Sequence, residues 1–312
     1  MRECFLEGRA GEQDYWSTRR LLELYDQTFA QRIAWKWQYV LAELMRLGWK
    51  LPDAPLLNWG CGTGIAARVV LRTFSIPQPK LWLYDRSPLA VEVATNKIRQ
   101  EYPNVSILPF EAHKSYQGTV LLSHIITELS EEAQQALLTK LREATAVLWV
   151  ESGDYRASRK LIDVRESLRA AFQVVAPCTH QSKCGLLAEK NKVHWCHHFA
   201  KPPAEAFTDE RWAVFKQKLG IDLSDLPLSY LVLDKRSLSL PASGVSRMIG
   251  RVRLYKGYAL LLVCSADGVA EYRLQERELK EAYRQIKKGK LDTLLRLSVA
   301  EGEIRALQAI SK

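Results

Sequence analysis

Three glycines and one acid are placed where a ligand could be held. Gly60, Gly62 and Gly64 follow a short apolar run and precede Ile65, where a helical pattern begins. Glycine lets the backbone adopt turn conformations and approach a ligand closely, so this strand, turn and helix predict a nucleotide-type pocket. Asp85 ends the next apolar run, where it is placed to accept hydrogen bonds from both hydroxyls of a ribose.

The spacing separates this pocket from a dinucleotide site. A dinucleotide fold expects G-x-G-x-x-G, whereas this chain has G-x-G-x-G, with Asp85 twenty-one residues after Gly64. Together these residues resemble motifs I and II of the class I S-adenosylmethionine methyltransferases, except that Asn58 stands where that family usually has an acid. The resemblance implies S-adenosylmethionine as the cofactor. The candidate cofactor-binding residues are Asn58, Gly60, Cys61, Gly62, Gly64, Asp85, Arg86 and Ser123.

A second group of reactive side chains lies in a single stretch of the chain. Cys178, Cys184 and Cys196, together with four of the six histidines, fall between Cys178 and His198. Unpaired polar side chains are costly in a protein core, and reactive thiols are a liability at a surface. A bound metal is therefore the economical explanation. Free cysteines with satisfied histidines are the alternative.

Three thiolates need a fourth metal ligand. Cys61 lies inside the glycine turn and Cys4 lies in a terminal segment, which leaves Cys264, at the end of a late apolar run, as the candidate. Four thiolates suit either a tetrahedral zinc ion or a [4Fe–4S] cluster. The spacing C-x5-C-x11-C differs from the C-x2-C knuckles of zinc ribbons and leaves both metals open.

Alternating strands and helices must hold these residues in place. A helix is expected over residues 14–48, followed by strands at 56–59, 81–84, 105–108, 119–126 and 146–150 and by helices at 89–99, 131–142 and 156–171. This alternation predicts an α/β fold with a mainly parallel sheet, covered on both faces, that binds ligands at the carboxyl ends of its strands. Apolar runs at 230–233 and 258–264 supply a sixth and a seventh strand, which completes the Rossmann-like sheet of a class I methyltransferase.

The chain divides into five expected segments. They are an N-terminal helical region (1–50), a methyltransferase core with strands one to five (51–175), a Cys/His-rich metal-binding insertion (176–227), a segment with strands six and seven and the fourth metal ligand (228–275), and a basic C-terminal helical region (276–312). Loops between core elements are usually short, so an interval of this length before strand six indicates a functional insertion or disorder.

Composition limits the class of protein. The 312 residues are 47% hydrophobic, which is enough for a sizeable core. The net charge of +10 suggests a polyanionic partner. No apolar run is long enough to span a membrane, and the acidic N-terminal stretch with Glu3, Glu7 and Glu12 predicts neither a secretory nor a mitochondrial targeting signal. Six cysteines without a signal peptide indicate a reducing compartment, and we expect a cytoplasmic, bacterial monomer.

The last third of the chain carries the clearest basic pattern. Cationic residues flank the expected seventh strand: Arg247, Arg251, Arg253 and Lys256 before it, and Arg273, Arg277, Lys280, Arg284, Lys287, Lys288 and Lys290 after it. Lysine and arginine contact phosphates, and the interleaved Tyr255, Tyr258 and Tyr283 are able to stack on unpaired bases. An exposed helix with charge pairs Glu276–Lys280 and Glu281–Arg284 is the alternative.

Several separated motifs resemble one known family. Residues 151–153, 165–168, 176–180, 195–197, 230–233 and 263–268 are similar to the methyltransferase-like factors of the small ribosomal subunit, known from mitochondria and with many bacterial relatives. The resemblance runs from about residue 15 to about residue 290. It implies a protein that binds S-adenosylmethionine, carries a [4Fe–4S] cluster on Cys178, Cys184, Cys196 and Cys264, and engages small-subunit rRNA during assembly.

Residues for methyl-transfer chemistry are not evident. Methylation of a base nitrogen commonly uses an Asn/Asp-Pro-Pro-aromatic loop after the fourth strand, and pyrimidine carbon uses a cysteine nucleophile. His124 is a potential base and Glu128 its orienting partner, but a sheet-edge histidine and a helix first turn are the preferred interpretations. The favoured function is therefore an rRNA-binding assembly factor. The alternatives are an active rRNA methyltransferase and a zinc-stapled interaction module without catalysis.

Overall fold

A computed structural model of the protein describes residues 16–76, 78–111, 116–238 and 244–310. Its helices, in chain order, are α1 (Arg19–Gln27), α2 (Phe29–Arg46), α3 (Ile65–Phe74), α4 (Pro88–Glu101), α5 (Glu131–Leu141), α6 (Tyr155–Leu168), α7 (Glu205–Thr208), α8 (Glu210–Leu219) and α9 (Lys280–Lys287). Cys4 and the first two residues of the helix expected at 14–48 lie outside the described residues. No described helix is both long and apolar enough to cross a membrane.

The strands form two sheets. In chain order they are β1 (Leu56–Trp59), β2 (Lys80–Tyr84), β3 (Ser106–Pro109), β4 (Thr119–Ser123), β5 (Ala146–Ser152), β6 (Gln173–Ala176), β7 (His198–Ala200), β8 (Leu226–Asp234), β9 (Ser246–Met248), β10 (Arg253–Tyr255), β11 (Tyr258–Ser265), β12 (Gly268–Gln275), β13 (Leu294–Ala300) and β14 (Glu303–Ala309). β1 to β8 make the first sheet, and β9 to β14 make the second.

The helical region expected over residues 14–48 is formed by two helices, because the chain breaks between α1 and α2 at Thr28. Its backbone leaves the helical region, with φ −126° and ψ −86°, and its hydroxyl donates a 2.6 Å hydrogen bond to the Leu24 carbonyl. A threonine hydroxyl that bonds the preceding turn competes with helix continuation. Helix α2 then packs on the first sheet with its buried residues Trp37, Val40, Leu41 and Leu44.

The first sheet has the strand order β3-β2-β1-β4-β5-β8-β6, and β7 pairs with the N-terminal end of β8. β1 to β5 run parallel, while β8 runs antiparallel to β5. Hydrophobic cores cover both faces, which is why central strands such as β4 and β5 are apolar almost throughout. A parallel sheet of this order with an antiparallel strand inserted near one edge is the class I methyltransferase arrangement, as the sequence predicted.

The prediction that residues 258–264 form the seventh strand of the first sheet is wrong. The run at residues 258–264 does not join this sheet, and the edge position beyond β8 is taken by β6. β6 has only four residues and lies directly before the cysteine motif, at the boundary between the expected core and the expected insertion, where no strand was predicted. Strand pairing is decided by contacts between distant segments, and an apolar run alone does not reveal which sheet it joins. The segment 228–275 therefore spans both sheets.

The second sheet closes on itself. Its order is β10-β11-β12-β14-β13-β9, and β9 also pairs with β11. Without β10, the ring β9-β11-β12-β14-β13 is a five-stranded barrel in which only β12 and β14 run parallel, with α9 between β12 and β13. This connectivity is that of an OB-fold. The expected helical region at 276–312 is wrong beyond α9, because β13 and β14 follow it.

The insertion, residues 177–225, connects β6 to β8 and lies between the first sheet and the barrel. It contains two 3-10 turns (Gly185–Leu187 and Glu189–Asn191), β7, α7 and α8. The Asn191 side-chain amide donates to the carbonyls of Gly185 and Val269, at 2.9 and 3.0 Å, which ties the insertion to β12. The barrel is also bound to α2 by a buried ion pair, in which Arg247 Nη1 lies 2.8 Å from a carboxylate oxygen of Glu43.

Candidate functional site

The first cavity opens at the carboxyl ends of β1, β2 and β4 and has a volume of about 590 Å³. The turn after β1 supplies its floor. Gly60, Gly62 and Gly64 have φ values of +65°, +52° and +77°, a region that side chains with a Cβ rarely adopt. A Cβ on Gly60 would lie 2.6 Å from Ile125 Cγ2, so glycine also provides the space. The turn therefore presents main chain, rather than side chains, to the cavity.

Asp85 lies on the cavity wall at the end of β2. Its two carboxylate oxygens accept hydrogen bonds from the backbone N–H groups of Gly62, at 2.8 Å, and Ser87, at 3.0 Å. The Cys61 N–H donates to the Tyr84 carbonyl at 2.9 Å, which fixes the glycine turn against the end of β2. The acid is thus held in one place beside the glycines.

Most of the predicted cofactor-binding residues come together here. Gly60, Cys61, Gly62, Asp85, Arg86 and Ser123 all line the cavity. Asn58 lies behind the wall, fully buried, where its amide bridges the Leu121 carbonyl and the Ala67 N–H, each at 3.4 Å. Gly64 also lies behind the wall, beside Ile98 and Ala94. Cofactor contact by any of these residues stays a prediction.

The Cys61 thiol is not prepared for nucleophilic chemistry. Burial, followed by the nearby charge of Asp85, raises its pKa well above the usual value. A protonated, buried thiol is a small apolar group rather than a nucleophile.

Helices outside the strand-end loops complete the wall of the first cavity. Trp16, Tyr25 and Ile33 reach it from the N-terminal helical region, and Arg156 reaches it from α6. None of the four was predicted from the sequence. Their segments pack over the cavity through tertiary contacts, for which a local pattern carries no signal.

A buried polar group lies at the back of the first cavity. His124, with φ +56°, follows β4, and its Nε2 lies 3.2 Å from Nζ of Lys36. Its Nδ1 lies 3.3 Å from Oγ of Ser123, which in turn accepts a 3.0 Å hydrogen bond from the Trp37 indole N–H. Both imidazole nitrogens are therefore engaged by protein groups. Burial, followed by the charges of Lys36 and Arg32, lowers the His124 pKa well below its usual value.

Two ionisable residues near His124 have strongly shifted pKa values. Burial lowers the pKa of Lys36 to about 7, with Arg32 adding to the effect. Burial raises the pKa of Glu151 to about 7, although its carboxylate accepts hydrogen bonds from the Trp149 indole, at 2.6 Å, and from two backbone N–H groups. Glu151 thereby braces the loop that carries His124.

The four predicted metal-binding cysteines lie near one another. Cys184 and Cys264 pack in one small apolar cluster with Cys196 at its margin. Cys178 is linked to this cluster through Arg165, whose Nε donates to Cys178 Sγ at 3.2 Å and whose Nη2 donates to the carbonyl of His180, a residue in contact with Cys264 Sγ. Cys264 comes from β11 of the barrel rather than from the first sheet, so the convergence joins three separate parts of the chain.

Arginine and histidine side chains surround these thiols. The Arg165 Nε donates to Cys178 Sγ at 3.2 Å, and its Nη2 donates to the carbonyls of His180 and Ser182. His180 Nε2 lies 3.5 Å from Cys264 Sγ, and His198 Nε2 lies 3.7 Å from Cys196 Sγ. His180 and His198 are therefore in contact with the thiols, whereas His197 stacks on Trp195.

Without a cation, Cys184, Cys196 and Cys264 are held in their neutral form. Burial, and then the neighbouring Cys178, raises the pKa of Cys184 to about 11 and raises those of Cys196 and Cys264 above their usual values. Within the part of the chain that the structure describes, no three or more His, Cys, Asp or Glu side chains form a group that could hold a metal ion. The thiols converge, but they do not form a closed ligand shell.

The basic residues of the barrel are mostly on its surface. Of those predicted to contact RNA, Arg247 is an exception, since it is buried in its ion pair with Glu43. Tyr283 is a second exception, because its ring is buried in the barrel core and its hydroxyl donates to the Tyr255 carbonyl at 2.6 Å. These two assignments are wrong. Tyr255 and Tyr258 stack on each other, with ring centroids 4.8 Å apart and planes 8° from parallel.

Comparison with known proteins identifies a family whose model matches this chain. The family model described as mitochondrial small ribosomal subunit Rsm22 matches residues 29–293. No curated protein matches the chain.

Solved structures with a similar fold include two methyltransferases. The magnesium protoporphyrin IX methyltransferase of Synechocystis, with bound SAH, is 13% identical, with 75% of this chain and 94% of that chain covered and a TM-score of 0.41. A SAM-dependent methyltransferase from Aquifex aeolicus is 18% identical, with 51% and 90% covered and a TM-score of 0.39. The strand order of the first sheet, rather than these alignments, carries the fold assignment.

Proposed function

This chain belongs to the family of the mitochondrial small ribosomal subunit protein Rsm22, and on that premise we propose that it is a factor for assembly of the small ribosomal subunit. In this proposal the protein binds S-adenosylmethionine in the first cavity, carries a [4Fe–4S] cluster on four cysteines, and binds small-subunit rRNA. Family membership supports the ribosomal role. The geometry of the first cavity supports the cofactor, and the convergence of the thiols supports the cluster.

The cofactor proposal depends chiefly on one observation, the Asp85 carboxylate beside a turn of three positive-φ glycines at the strand ends. Exposed main-chain groups suit close approach by a nucleoside, and a fixed carboxylate suits a ribose diol. S-adenosylmethionine, when bound, supplies an activated methyl group. Asp85, Gly60 and Gly62 would hold and orient its nucleoside, and Tyr25 and Trp16 would shield it from water.

Isothermal titration with S-adenosylmethionine tests the cofactor proposal. We expect wild-type protein and the control Asp53→Ala, an exposed acid before β1, to bind equally. Asp85→Ala should weaken binding at least tenfold, because a charged hydrogen bond to a ligand contributes about 1.5–3 kcal/mol. Equal binding by all three proteins, or no binding by the wild type, would contradict the proposal.

The cluster proposal is supported by the donor set. Cys178, Cys184, Cys196 and Cys264 are the four thiolates that a [4Fe–4S] cluster requires, and the burial of Cys184 and Cys264 limits access of the solvent that would hydrolyse it. Binding of a cationic centre would offset the cost of ionising thiols that are held together out of water. A cluster there would bind the insertion to the barrel. Zinc is the alternative occupant, since the same four thiolates suit it.

Anaerobic purification distinguishes the metals. We expect iron and acid-labile sulfide in equal amounts, with broad visible absorbance, and loss of both in Cys264→Ser. Cys61→Ser, a buried cysteine of the first cavity, is the matched control and should retain the cluster. Stoichiometric zinc in a colourless protein would replace the iron proposal, and metal retained by Cys264→Ser would remove Cys264 from the ligand set.

Methyl transfer is the second candidate function, favoured by a cofactor-type cavity with an ionisable residue, His124, on its wall. Because both His124 nitrogens are engaged by Lys36 and Ser123, we do not assign it as a base. Tritium transfer from labelled S-adenosylmethionine to small subunits at the assembly stage separates the two candidates. The proposed factor binds such subunits in sedimentation without labelling them, whereas labelled rRNA would establish the enzyme.

A further inference from the structure

The outer face of the barrel is the feature that carries a second binding site. Along β11 and β12 the paired residues alternate between the barrel core and the outside. Ala259, Leu261 and Val263 point into the core, so Tyr258, Leu260 and Leu262 point outward on the same face. In an OB-fold this face, formed by the second and third strands, is the one on which oligonucleotides bind. Since a fold does not establish a function, the chemistry of the face must decide.

A second cavity of about 590 Å³ lies on this face, between β11 and the insertion. Leu260, Leu262, Ile249 and Pro227 line it with apolar surface. Its volume is within the range of small-molecule pockets, and it is open to the surface on one side. The cavity therefore offers an apolar floor to a flat group that enters from solvent.

Aromatic rings form one wall of the second cavity. The Trp195 and His197 rings stack with centroids 4.6 Å apart and planes 17° from parallel. The Trp195 indole N–H donates to the Gly153 carbonyl at 2.8 Å, and His197 Nδ1 lies 3.1 Å from the Trp195 carbonyl. Phe199 meets the His197 ring edge to face at 5.3 Å. These rings are fixed in orientation before any ligand arrives, which lowers the entropy cost of stacking on them.

Gly250 makes this wall possible. A Cβ at that position would lie 2.9 Å from His197 Cε1, and the φ of Gly250 is +69°. Its N–H donates to the His197 carbonyl at 2.8 Å, so the loop after β9 holds the ring from behind. A side chain here would push the ring toward the space that a ligand would occupy.

Two arginines line the second cavity. The Arg251 guanidinium lies 4.5 Å from the centre of the Phe199 ring and pairs with Asp225. Arg253 pairs with Glu271, and both arginine side chains are more than half exposed, at 64% and 52%. Exposed ion pairs contribute little to stability, so these guanidiniums are able to exchange a carboxylate for a phosphate at small cost.

A second stacking platform lies further along the same face. Tyr258 precedes Leu260 by two residues on β11, its ring is stacked with Tyr255, and the Arg273 guanidinium lies 4.8 Å from its centre. Strand geometry separates Tyr258 from Leu262 by about 13 Å, which is on the order of two nucleotide steps. Aromatic platforms interleaved with arginines along one strand are the pattern of single-stranded nucleic-acid binding.

We propose that the β11–β12 face binds a single-stranded segment of RNA, with one unpaired base in the second cavity against Trp195 and His197. Neighbouring phosphates contact Arg251 and Arg253, and a second base stacks at Tyr258. The inference rests on the proposed RNA binding and names its site. The bases, rather than the phosphates alone, supply a large part of the affinity.

Binding of fluorescent oligoadenylate to the full-length, anaerobically purified protein tests this inference. We expect Trp195→Ala and Tyr258→Ala each to weaken binding about tenfold, since stacking of one base contributes roughly 1–3 kcal/mol. Trp195→Phe should retain most of the affinity. The matched control Phe207→Ala removes an exposed aromatic ring of α7 that does not line the second cavity, and it should bind as the wild type does.

An abasic oligonucleotide of the same length removes the stacking but keeps the phosphates. We expect it to bind the wild type more weakly than oligoadenylate and to bind Trp195→Ala and the wild type equally. Photoreactive 8-azidoadenine in the oligonucleotide should label peptides that contain Trp195 or Tyr258. Tyr258→Ala and the labelling keep the test decisive should Trp195→Ala misfold through its neighbour Cys196.

Three other outcomes are distinguishable. Equal oligoadenylate binding by wild type and variants, with labels outside the face, would overturn the inference and leave the proposed function intact. Loss of association with small subunits but not with RNA in Trp195→Ala would assign the cavity to a protein side chain and would also overturn it. A wild type that binds neither RNA nor small subunits would overturn the proposed function, and the inference with it.

Discussion

The two cavities have the same volume, about 590 Å³ each, but they are built from different parts of the chain. The first is shaped by main chain, at a glycine turn that follows directly from β1. The second is shaped chiefly by side chains, among them Trp195, His197 and Leu262, that separate segments of the chain bring together. The first site depends on its glycine turn and on one fixed carboxylate, whereas the second depends on whatever fixes its rings.

Replacement of the buried arginine of α6 should have the largest effect among the tests of this contrast. Arg165 is 2% exposed and holds the start of the insertion through Cys178, His180 and Ser182, besides pairing with Glu166. Arg165→Gln should lower the free energy of unfolding by about 3–5 kcal/mol, because it leaves buried partners unpaired. Chemical denaturation measures the loss.

Arg169→Gln is the matched control, because Arg169 pairs with the same Glu166 from an exposed position. It should cost less than about 1 kcal/mol. Similar losses for the two variants would show that the insertion does not depend on its buried arginine.

Lys36 contacts His124 at the back of the first cavity, and its titration should change the free energy of unfolding nearly as much as the loss of Arg165. Because burial lowers the Lys36 pKa from 10.5 to about 7, the unfolded chain binds more protons than the folded chain between these values. The destabilisation is complete below pH 7 and declines as the pH rises toward 10.5. As the pH rises by about two units from 7, the titration of Lys36 should increase the free energy of unfolding by about 2 kcal/mol.

Lys36→Met isolates this contribution. The difference between wild-type and variant unfolding free energies, measured by denaturation at several pH values, should shift by the stated amount in favour of the wild type as the pH rises. A difference that stays constant over this window would show that Lys36 is charged and solvated in the folded protein.

Substitution of one glycine in each cavity compares how the two cavities bind their ligands. Gly60 and Gly250 both have positive φ, and a Cβ would meet Ile125 Cγ2 at 2.6 Å and His197 Cε1 at 2.9 Å, respectively. Gly60→Ala should weaken binding of S-adenosylmethionine about tenfold and leave RNA unchanged, whereas Gly250→Ala should do the reverse. Gly220→Ala introduces the same backbone strain at φ +59° with open space around it, and should affect neither ligand.

The smallest expected effect concerns charge on the barrel face. Arg273 is exposed and lies over the Tyr258 ring. Arg273→Gln should weaken RNA binding severalfold and lower the slope of log affinity against log salt by about 0.7, the value for one phosphate contact on a single strand. Arg99→Gln changes an exposed arginine of α4, outside the barrel, and should keep the wild-type slope. Identical slopes would place Arg273 away from the RNA backbone.

The difference between the regions also explains what the sequence could reveal. The glycine turn and Asp85 were predictable because strand, turn and helix follow one another within the chain, and the family was confirmed by a family model that matches residues 29–293. The proximity of the four cysteines was predictable because neither a core nor a surface accommodates so many thiols and imidazoles within one short stretch at low cost. Their metal stays a prediction.

The barrel was not predictable in the same way. Its strands pair across long intervals, as β9 does with β13, and only these pairings distinguish an OB-fold from the end of the first sheet. The buried roles of Arg247 and Tyr283 were missed for a related reason. A charge or an aromatic ring in a basic stretch suggests a surface, and only its tertiary partners, Glu43 for Arg247, show that it is buried.

Titration of both ligands onto two variants tests most directly whether the cavities are separate sites. Asp85→Ala should lose S-adenosylmethionine and retain oligoadenylate, while Trp195→Ala should lose oligoadenylate and retain S-adenosylmethionine, each loss being about tenfold or more. If either variant loses both ligands while it remains folded, or neither loses any, the division between a main-chain cofactor site and a side-chain RNA site is contradicted.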